Sequence, residues 1–200
     1  SVASRGLGDV YKRQELEKLL AQSAGVDPED VLGHDIYTCA AQEPALFGAH
    51  DEFLASPRLD NLVSVHAGMC AIEQLTDPTD IAVLAAFDHE EVGSGTRSGA
   101  CGPMLAQVTE RIVYGMASAW GYEGHERDTY MRSLAGSVCV SSDTGHAVHP
   151  NYPEHHDPRI TPLLGRGPLL KLNAQQRYAS DAVGTAVWAQ ACEDAGVAYQ

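Results

Sequence analysis

An α/β domain with helices on both faces of a parallel sheet is the fold class this sequence predicts, and three observations predict it. Residues 81–87 form an unbroken apolar run, the mark of a strand covered on both faces and hence of parallel pairing. Short strand-like pieces at 138–141 and 169–172 alternate with helical patterns around them. Acidic residues follow two of these three strand-like pieces, where open α/β sheets place their ligands.

Each element has its own justification. Residues 1–14 show no period, and Asp9 to Gln14 resemble the translation of a transposon-type sequencing adapter, so 1–14 are expected to be a non-native leader. Leu16, Leu19 and Leu20 then stand at helical spacing, and Pro28 after Asp27 signals a second helix start. Residues 36–41 and 52–55 are short and moderately strand-like. Asp60 and Asn61 precede Leu62, Val65, Met69, Ile72 and Leu75, an amphipathic helix that Asp77 and Pro78 break. Residues 93–102 are rich in Gly and Ser; Pro103 then opens a long helix carrying Met104, Leu105, Val108, Ile112, Val113 and Met116. Ala182, Val183, Ala186 and Val187 share one face of a last helix, which Ala195 and Gly196 close. Residues 197–200 read as a strand barely begun, so the chain is expected to be a fragment of a longer protein.

Composition bounds the function. Of 200 residues, 44% are apolar and 20% charged, which excludes a disordered tail, a collagen-like repeat and a coiled coil. Thirteen basic against 27 acidic residues leave a net charge of −14, the opposite of what a bulk nucleic-acid binder needs. No run approaches the roughly 18 apolar residues of a membrane span, so no membrane partner is expected. Five cysteines, odd in number and with no pair two residues apart, read as reduced, mostly buried thiols of a cytoplasmic protein.

Three acidic clusters carry the chemistry: Asp60 after a short strand, the pair Glu90 and Glu91 after the most buried-looking strand, and Asp143 after the strand at 138–141. Gathering carboxylates is costly, because like charges and desolvation both raise their pKa values; one or two divalent cations remove that cost. Any one of these residues alone reads equally as a helix cap or solvated turn, Asp60 especially. Adjacent glutamates point in different directions, so one can bind metal while the other faces a metal-bound water and takes its proton. Gly93 stands where an H-E-x-x-H helix would need its second histidine, and the Gly93–Gly95 loop is neither a nucleophile elbow nor a phosphate loop. His146 and His149, three apart in a loop ending at Pro150, can serve as ligands, acids or oxyanion donors, though a hydrogen-bonded loop role suits each singly. His155 and His156 read as solvated. Lys171, inside an apolar strand, either snorkels out or pairs with an anion that Tyr178 could share.

The segments Arg58–Asn61, Asp88–Ser94, Asp143–Asn151 and Lys171–Ala179, in that order, resemble the M18 metallopeptidases, the aspartyl aminopeptidase family, from about residue 15 to residue 200. The resemblance implies a three-layer α/β/α catalytic domain with an inserted β-rich domain that builds a homo-oligomer. Residues 15–50 would be the end of that insertion and 51–200 the central part of the catalytic domain. It also implies two divalent metal ions, zinc by expectation and roughly 3.5–4 Å apart. Asp60 matches the carboxylate bridging them, Glu91 and Asp143 a terminal ligand of each, and Glu90 the general base acting on a bridging hydroxide. Lys171 resembles the cation that reads an acidic substrate side chain; His146 and Tyr178 resemble pocket-lining residues. The family's two metal-binding histidines near its ends have no counterpart here. Each ion would keep two carboxylates where zinc sites want at least three protein ligands, so the chain alone is expected to bind metal weakly and to be inactive. The implied activity is removal of an N-terminal Asp or Glu from peptides. A di-metal dipeptidase or deacylase on a similar fold is the near rival, and a non-catalytic shell subunit the distant one.

Overall fold

A computed structural model of the chain describes residues 7–200, with side chains from residue 15 onward. The segment set aside as a leader lies outside the described residues as far as residue 6; from Leu7 its backbone belongs to a helix. The chain divides into two units, residues 1–57 and 58–200, each described by itself.

The first unit holds α1 (Leu7–Ala24), a 3-10 turn at Pro28–Asp30 and an antiparallel hairpin of β1 (Ala45–Phe47) and β2 (Phe53–Ala55). Leu16, Leu19 and Leu20 do lie on α1, but Pro28 opens a single turn rather than a helix. The hairpin pairs Ala45 with Ala55, Leu46 with Leu54 and Phe47 with Phe53. Its two phenylalanine rings sit 5.2 Å apart, the aromatic cross-strand contact that favours this register. The strand-like reading of 36–41 is not met, since no strand is assigned there.

Glu52 organises that turn. Its Oε2 accepts the His50 N–H at 2.8 Å, and backbone hydrogen bonds, His50's foremost, hold its carboxyl below the ordinary glutamate value. A carboxyl with a depressed folded-state pKa contributes stability above its unfolded pKa and loses it as pH falls through the folded one. We therefore expect the protection of the His50 amide, taken relative to its intrinsic exchange rate at each pH, to fall as pH drops below the ordinary glutamate range, measured by hydrogen exchange across an acid titration. Glu52→Gln should show no such step.

The second unit contains α2 (Leu59–Glu73), α3 (Met104–Ala117), α4 (Glu126–Ala135) and α5 (Ala182–Asp194), with 3-10 turns at Glu90–Val92 and Pro153–His155. The helix expected from Leu62 is α2, and Pro103 stands at the N-cap of α3 as its sequence demands. α3 and α4 pack together around Val113, Ala117 and Tyr130, all nearly inaccessible. The Tyr130 hydroxyl donates to the Ala106 carbonyl at 3.2 Å, and its ring meets Tyr114 edge-on at 6.4 Å. Asp181 caps α5, accepting the Gly184 N–H at 2.7 Å. The apolar face expected on α5 is not buried: Val183 is 71% and Val187 50% exposed, and Cys192 on the last turn is the buried side chain.

Residues 81–87, 138–141 and 169–172 carry no assigned strand. The physical reason is the nature of a parallel strand, whose hydrogen bonds all come from neighbours. One such pairing is present. The Leu170 N–H donates to the Gln200 carbonyl at 2.7 Å, and the Gln200 N–H to the Pro168 carbonyl at 2.9 Å, the slanted pattern of parallel strands on either side of α5. The helices and this one pairing are compatible with part of an α/β domain. The residues expected to be buried on both faces are open instead, Val138 at 71% and Leu172 at 60%. Cys39, Cys101 and Cys139 are likewise exposed where buried thiols were expected, because the segments bearing them are uncovered; all five thiols are free. No helix among the described residues is long and apolar enough to cross a membrane.

Gly167 is where the strand–helix–strand unit admits no side chain. Its φ of 93° is a left-handed conformation, and a Cβ there would overlap the Ala198 backbone carbonyl. Gly167→Ala should cost about 2 kcal/mol or more, because neither the strain nor a backbone clash can be relieved by rotating a side chain. A denaturant midpoint unchanged from that of the parent chain would contradict this.

Candidate functional site

Asp60 stands at the entrance to α2. Arg58, at φ 61°, is left-handed, and Asp60 and Asn61 have non-helical backbone angles, so the regular helix begins at Leu62, whose N–H reaches the Arg58 carbonyl at 3.1 Å. The peptide between Asp60 and Asn61 is cis. A second left-handed residue, His89 at φ 63°, introduces the turn bearing Glu90 and Glu91. Left-handed non-glycine residues cost about 1–3 kcal/mol each and gather at functional sites; of the six among the described residues, Arg58 and His89 precede two of the three acidic segments. The His89 Nδ1 lies 2.8 Å from Thr96 Oγ1, and the Asp88 N–H donates to the Ser98 carbonyl at 3.2 Å, which ties this turn to the glycine-rich loop behind it.

Asp143 is brought to Asp60 through its neighbour. The Thr144 hydroxyl donates to the Leu59 carbonyl at 3.5 Å, joining two segments 85 residues apart. Lys171 arrives from the third segment: its Nζ is 3.8 Å from Asp143 Oδ2 and 5.7 Å from the centre of the Tyr178 ring. A Cβ on Gly145 would overlap the Leu169 side chain, so these two segments of the chain pass in direct contact. His146 is tied to the same loop system by its carbonyl, which faces His156 Nε2 at 3.4 Å. The His149 and Tyr152 rings lie 5.1 Å apart. Beyond Lys171, Leu172, Asn173, Gln176 and Asp181 border an open depression of about 480 Å³.

Asp60, Asp143, Lys171 and Tyr178 are therefore linked through these segments, with His146 on the same loop as Asp143. Among the described residues no side-chain hydrogen bond or ion pair ties Glu90 or Glu91 to them. All four carboxylates are exposed, so the cost of burying like charges together, which argued for a cation, does not arise in this arrangement. Among the described residues no group of three or more His, Cys, Asp or Glu side chains converges as a metal would require. Zinc sites draw three or four protein ligands per ion; the donors this chain presents do not fit a complete zinc centre. Two participants escaped sequence reading. Thr144, the link to Leu59, carries no signal beyond following Asp143. His156, read as solvated, is half-buried with an enclosed Nδ1 that has no hydrogen-bond partner; its place in a polar stretch concealed this.

Comparison with known proteins sets these segments in a family. Residues 4–200 match the family model described as aminopeptidase I zinc metalloprotease (M18), a match that begins inside the segment set aside as a leader. A "Probable M18 family aminopeptidase 2" of Streptomyces coelicolor is 47% identical over 199 residues, covering 98% of this chain and 44% of that protein. The protein of the same name from Clostridium acetobutylicum is 37% identical over 195 residues, covering 97% and 43%. The chain thus spans less than half the length of these relatives. Among solved structures, the crystal structure of yeast aminopeptidase 1 superposes with a TM-score of 0.70 at 27% identity, covering 93% of this chain and 42% of that one. The cryo-EM structure of the Ape4 and Nbr1 complex gives a TM-score of 0.75 at 31% identity, covering 94% and 36%. A yeast mApe1 dodecamer gives 0.70 at 28% identity, covering 93% and 42%. With a family match across nearly its whole length, the chain belongs to the M18 aminopeptidase family of zinc metalloproteases.

Proposed function

We propose that these residues act within a longer polypeptide that removes N-terminal acidic residues, Asp or Glu, from peptides. The observation that carries the reading is the meeting of Asp143 with Lys171 at 3.8 Å beside the Thr144–Leu59 link, which gathers three of the four motif segments. In this reading Asp60, Glu91 and Asp143 contribute carboxylates to a centre of two zinc ions, whose remaining ligands lie outside these residues. Glu90 takes a proton from the attacking water and delivers it to the leaving amine. Lys171 pairs with the acidic side chain of the substrate, and His146 and Tyr178 line its pocket. The chain's net charge of −14 opposes an acidic peptide only at long range, since screening limits such forces to about 8 Å in physiological salt. The hairpin unit fits the end of an inserted oligomerisation domain, in line with the dodecamer among the similar structures. Five free cysteines support a cytoplasmic location.

Substrate comparison tests the reading. The longer protein should cleave an Asp-terminated peptide in preference to a Leu-terminated one. Lys171→Met should lower kcat/KM for the Asp peptide by about 10- to 100-fold, the worth of a hydrogen bond to a charged group, and leave the Leu peptide within a few-fold. Preference for an N-acyl amino acid would favour a deacylase instead. The 200-residue chain alone should show no turnover.

A further inference from the structure

Lys171 and Tyr178 are seven residues apart, yet the ammonium lies 5.7 Å from the centre of the tyrosine ring. Seven residues of extended chain would separate their Cα atoms by about 23–25 Å, far more than two side chains can bridge. The chain must therefore turn back between them, and Asn173 makes two bonds of that turn. Its carbonyl accepts the Gln176 N–H at 2.8 Å, and its Oδ1 accepts the Gln175 N–H at 2.9 Å, the side-chain-to-backbone bond with which asparagine builds turns. Gln176 completes the reversal at φ 50°, a left-handed conformation that a residue with a side chain adopts at a cost. Asn173, Gln175 and Gln176 are all exposed, so little packing holds the turn, and the Asn173 bonds are what offset the strain at Gln176.

We propose that Asn173 is a positioning residue for acidic-substrate preference: its turn sets the Tyr178 ring against Lys171 and so holds the ammonium where it meets a substrate carboxylate. This rests on the assignment of Lys171 as the reader of an acidic side chain. Lysine carries a compact charge on a flexible four-carbon stem, and an aromatic ring within about 6 Å attracts that charge and narrows where the stem can place it. The Lys171 Nζ has neighbours from two segments, Asp143 Oδ2 at 3.8 Å and the Tyr178 ring, so an incoming carboxylate finds the cation already placed and less ordering remains to be done on binding. Asn173 acts through Lys171 and Tyr178, not by touching the substrate. Its effect is that of one exposed hydrogen bond, about two- to tenfold in preference.

Steady-state kinetics of the longer protein on an Asp-terminated and a Leu-terminated peptide tests this. Asn173→Ala should narrow the ratio of the two kcat/KM values about two- to tenfold. The change should fall on KM for the Asp peptide, because a pre-placed charge binds ground state and transition state alike. Asn173→Ser, whose hydroxyl makes the same turn bond more weakly, should lie between Asn173→Ala and the parent. On a Lys171→Met background, Asn173→Ala should narrow the ratio no further, the non-additivity of two residues that act as one. Thermal unfolding of each variant confirms that it is folded. A folded Asn173→Ala protein with the parent's ratio, or one that narrows the ratio on the Lys171→Met background as well, would overturn this inference and leave the reading of Lys171 standing. A Lys171→Met protein that keeps the parent's preference would overturn both.

Discussion

Glu90→Gln in the longer protein should reduce turnover about 10²- to 10⁴-fold, the range a positioned general base contributes, while leaving metal content unchanged. The amide keeps the shape and the hydrogen-bonding reach of the carboxyl group but cannot take the proton of the attacking water. The local geometry suits such a variant. Glu90 is exposed in a 3-10 turn whose form is set by the left-handed His89 before it and Gly93 after it, not by the Glu90 side chain. The turn's own bonds, Gly93 N–H to the Glu90 carbonyl at 2.9 Å and Ser94 N–H to the His89 carbonyl at 2.9 Å, are backbone bonds that survive the substitution. Elemental analysis beside steady-state kinetics separates the two effects. Full activity in the variant would remove Glu90 from the chemistry; loss of activity together with loss of metal would recast it as a ligand.

Tyr130→Ala should destabilise the α3–α4 pair by about 3–5 kcal/mol, the usual cost of truncating a buried aromatic residue. Tyr130 is 8% exposed, and with Val113 and Ala117 it forms the packed centre of the only helix pair with an extensive contact among the described residues of its unit. Its hydroxyl also satisfies the Ala106 carbonyl and lies 3.4 Å from Thr109 Oγ1. Tyr130→Phe isolates that second part and should cost about 1 kcal/mol, the net worth of one hydrogen bond. Denaturant unfolding of the two variants side by side gives both numbers. A loss under 1 kcal/mol for the alanine variant would mean that the helix pair is held elsewhere.

Helices with a period were legible in the sequence. Leu62, Val65, Met69 and Ile72 announce α2, and Pro103 with its apolar row announces α3. α4 gave only a faint signal: Glu126, Arg127, Asp128 and Arg132 charge four of its ten positions, and Tyr130, Met131 and Leu134 are too few to set a period over so short a helix. The β-hairpin was half seen. Residues 52–55 read as strand-like, but Ala45–Phe47 is three residues long, and its identity as a strand comes from the cross-strand meeting of Phe47 and Phe53, which no local window contains. The reverse error fell on 36–41, where strand-like residues carry no assigned strand. The buried-strand reading of 81–87 described composition correctly as apolar, yet a parallel ladder is a property of neighbouring strands, and the one parallel pairing among the described residues is that of Leu169 with Gln200.

The site was legible to a different depth. Asp60, Glu90, Glu91, Asp143, Lys171 and Tyr178 were each singled out from their place at strand ends or from motif order. The pairing of Lys171 with Asp143 was not, because an ion pair between residues 28 apart depends on how two segments pass, which Gly145 and Leu169 decide by contact. The open posture of all four carboxylates was equally hidden, since residue types at strand ends say which groups are available and not how closely they converge.

Asp60, Glu91 and Asp143 are proposed to contribute to one centre of two zinc ions. Zinc content per subunit of the purified longer protein, by elemental analysis of the parent and of Asp60→Asn, measures it most directly. Two zinc ions are expected in the parent, and a loss of at least one in Asp60→Asn with the fold retained. A parent free of zinc, or a variant that keeps both ions, would contradict it.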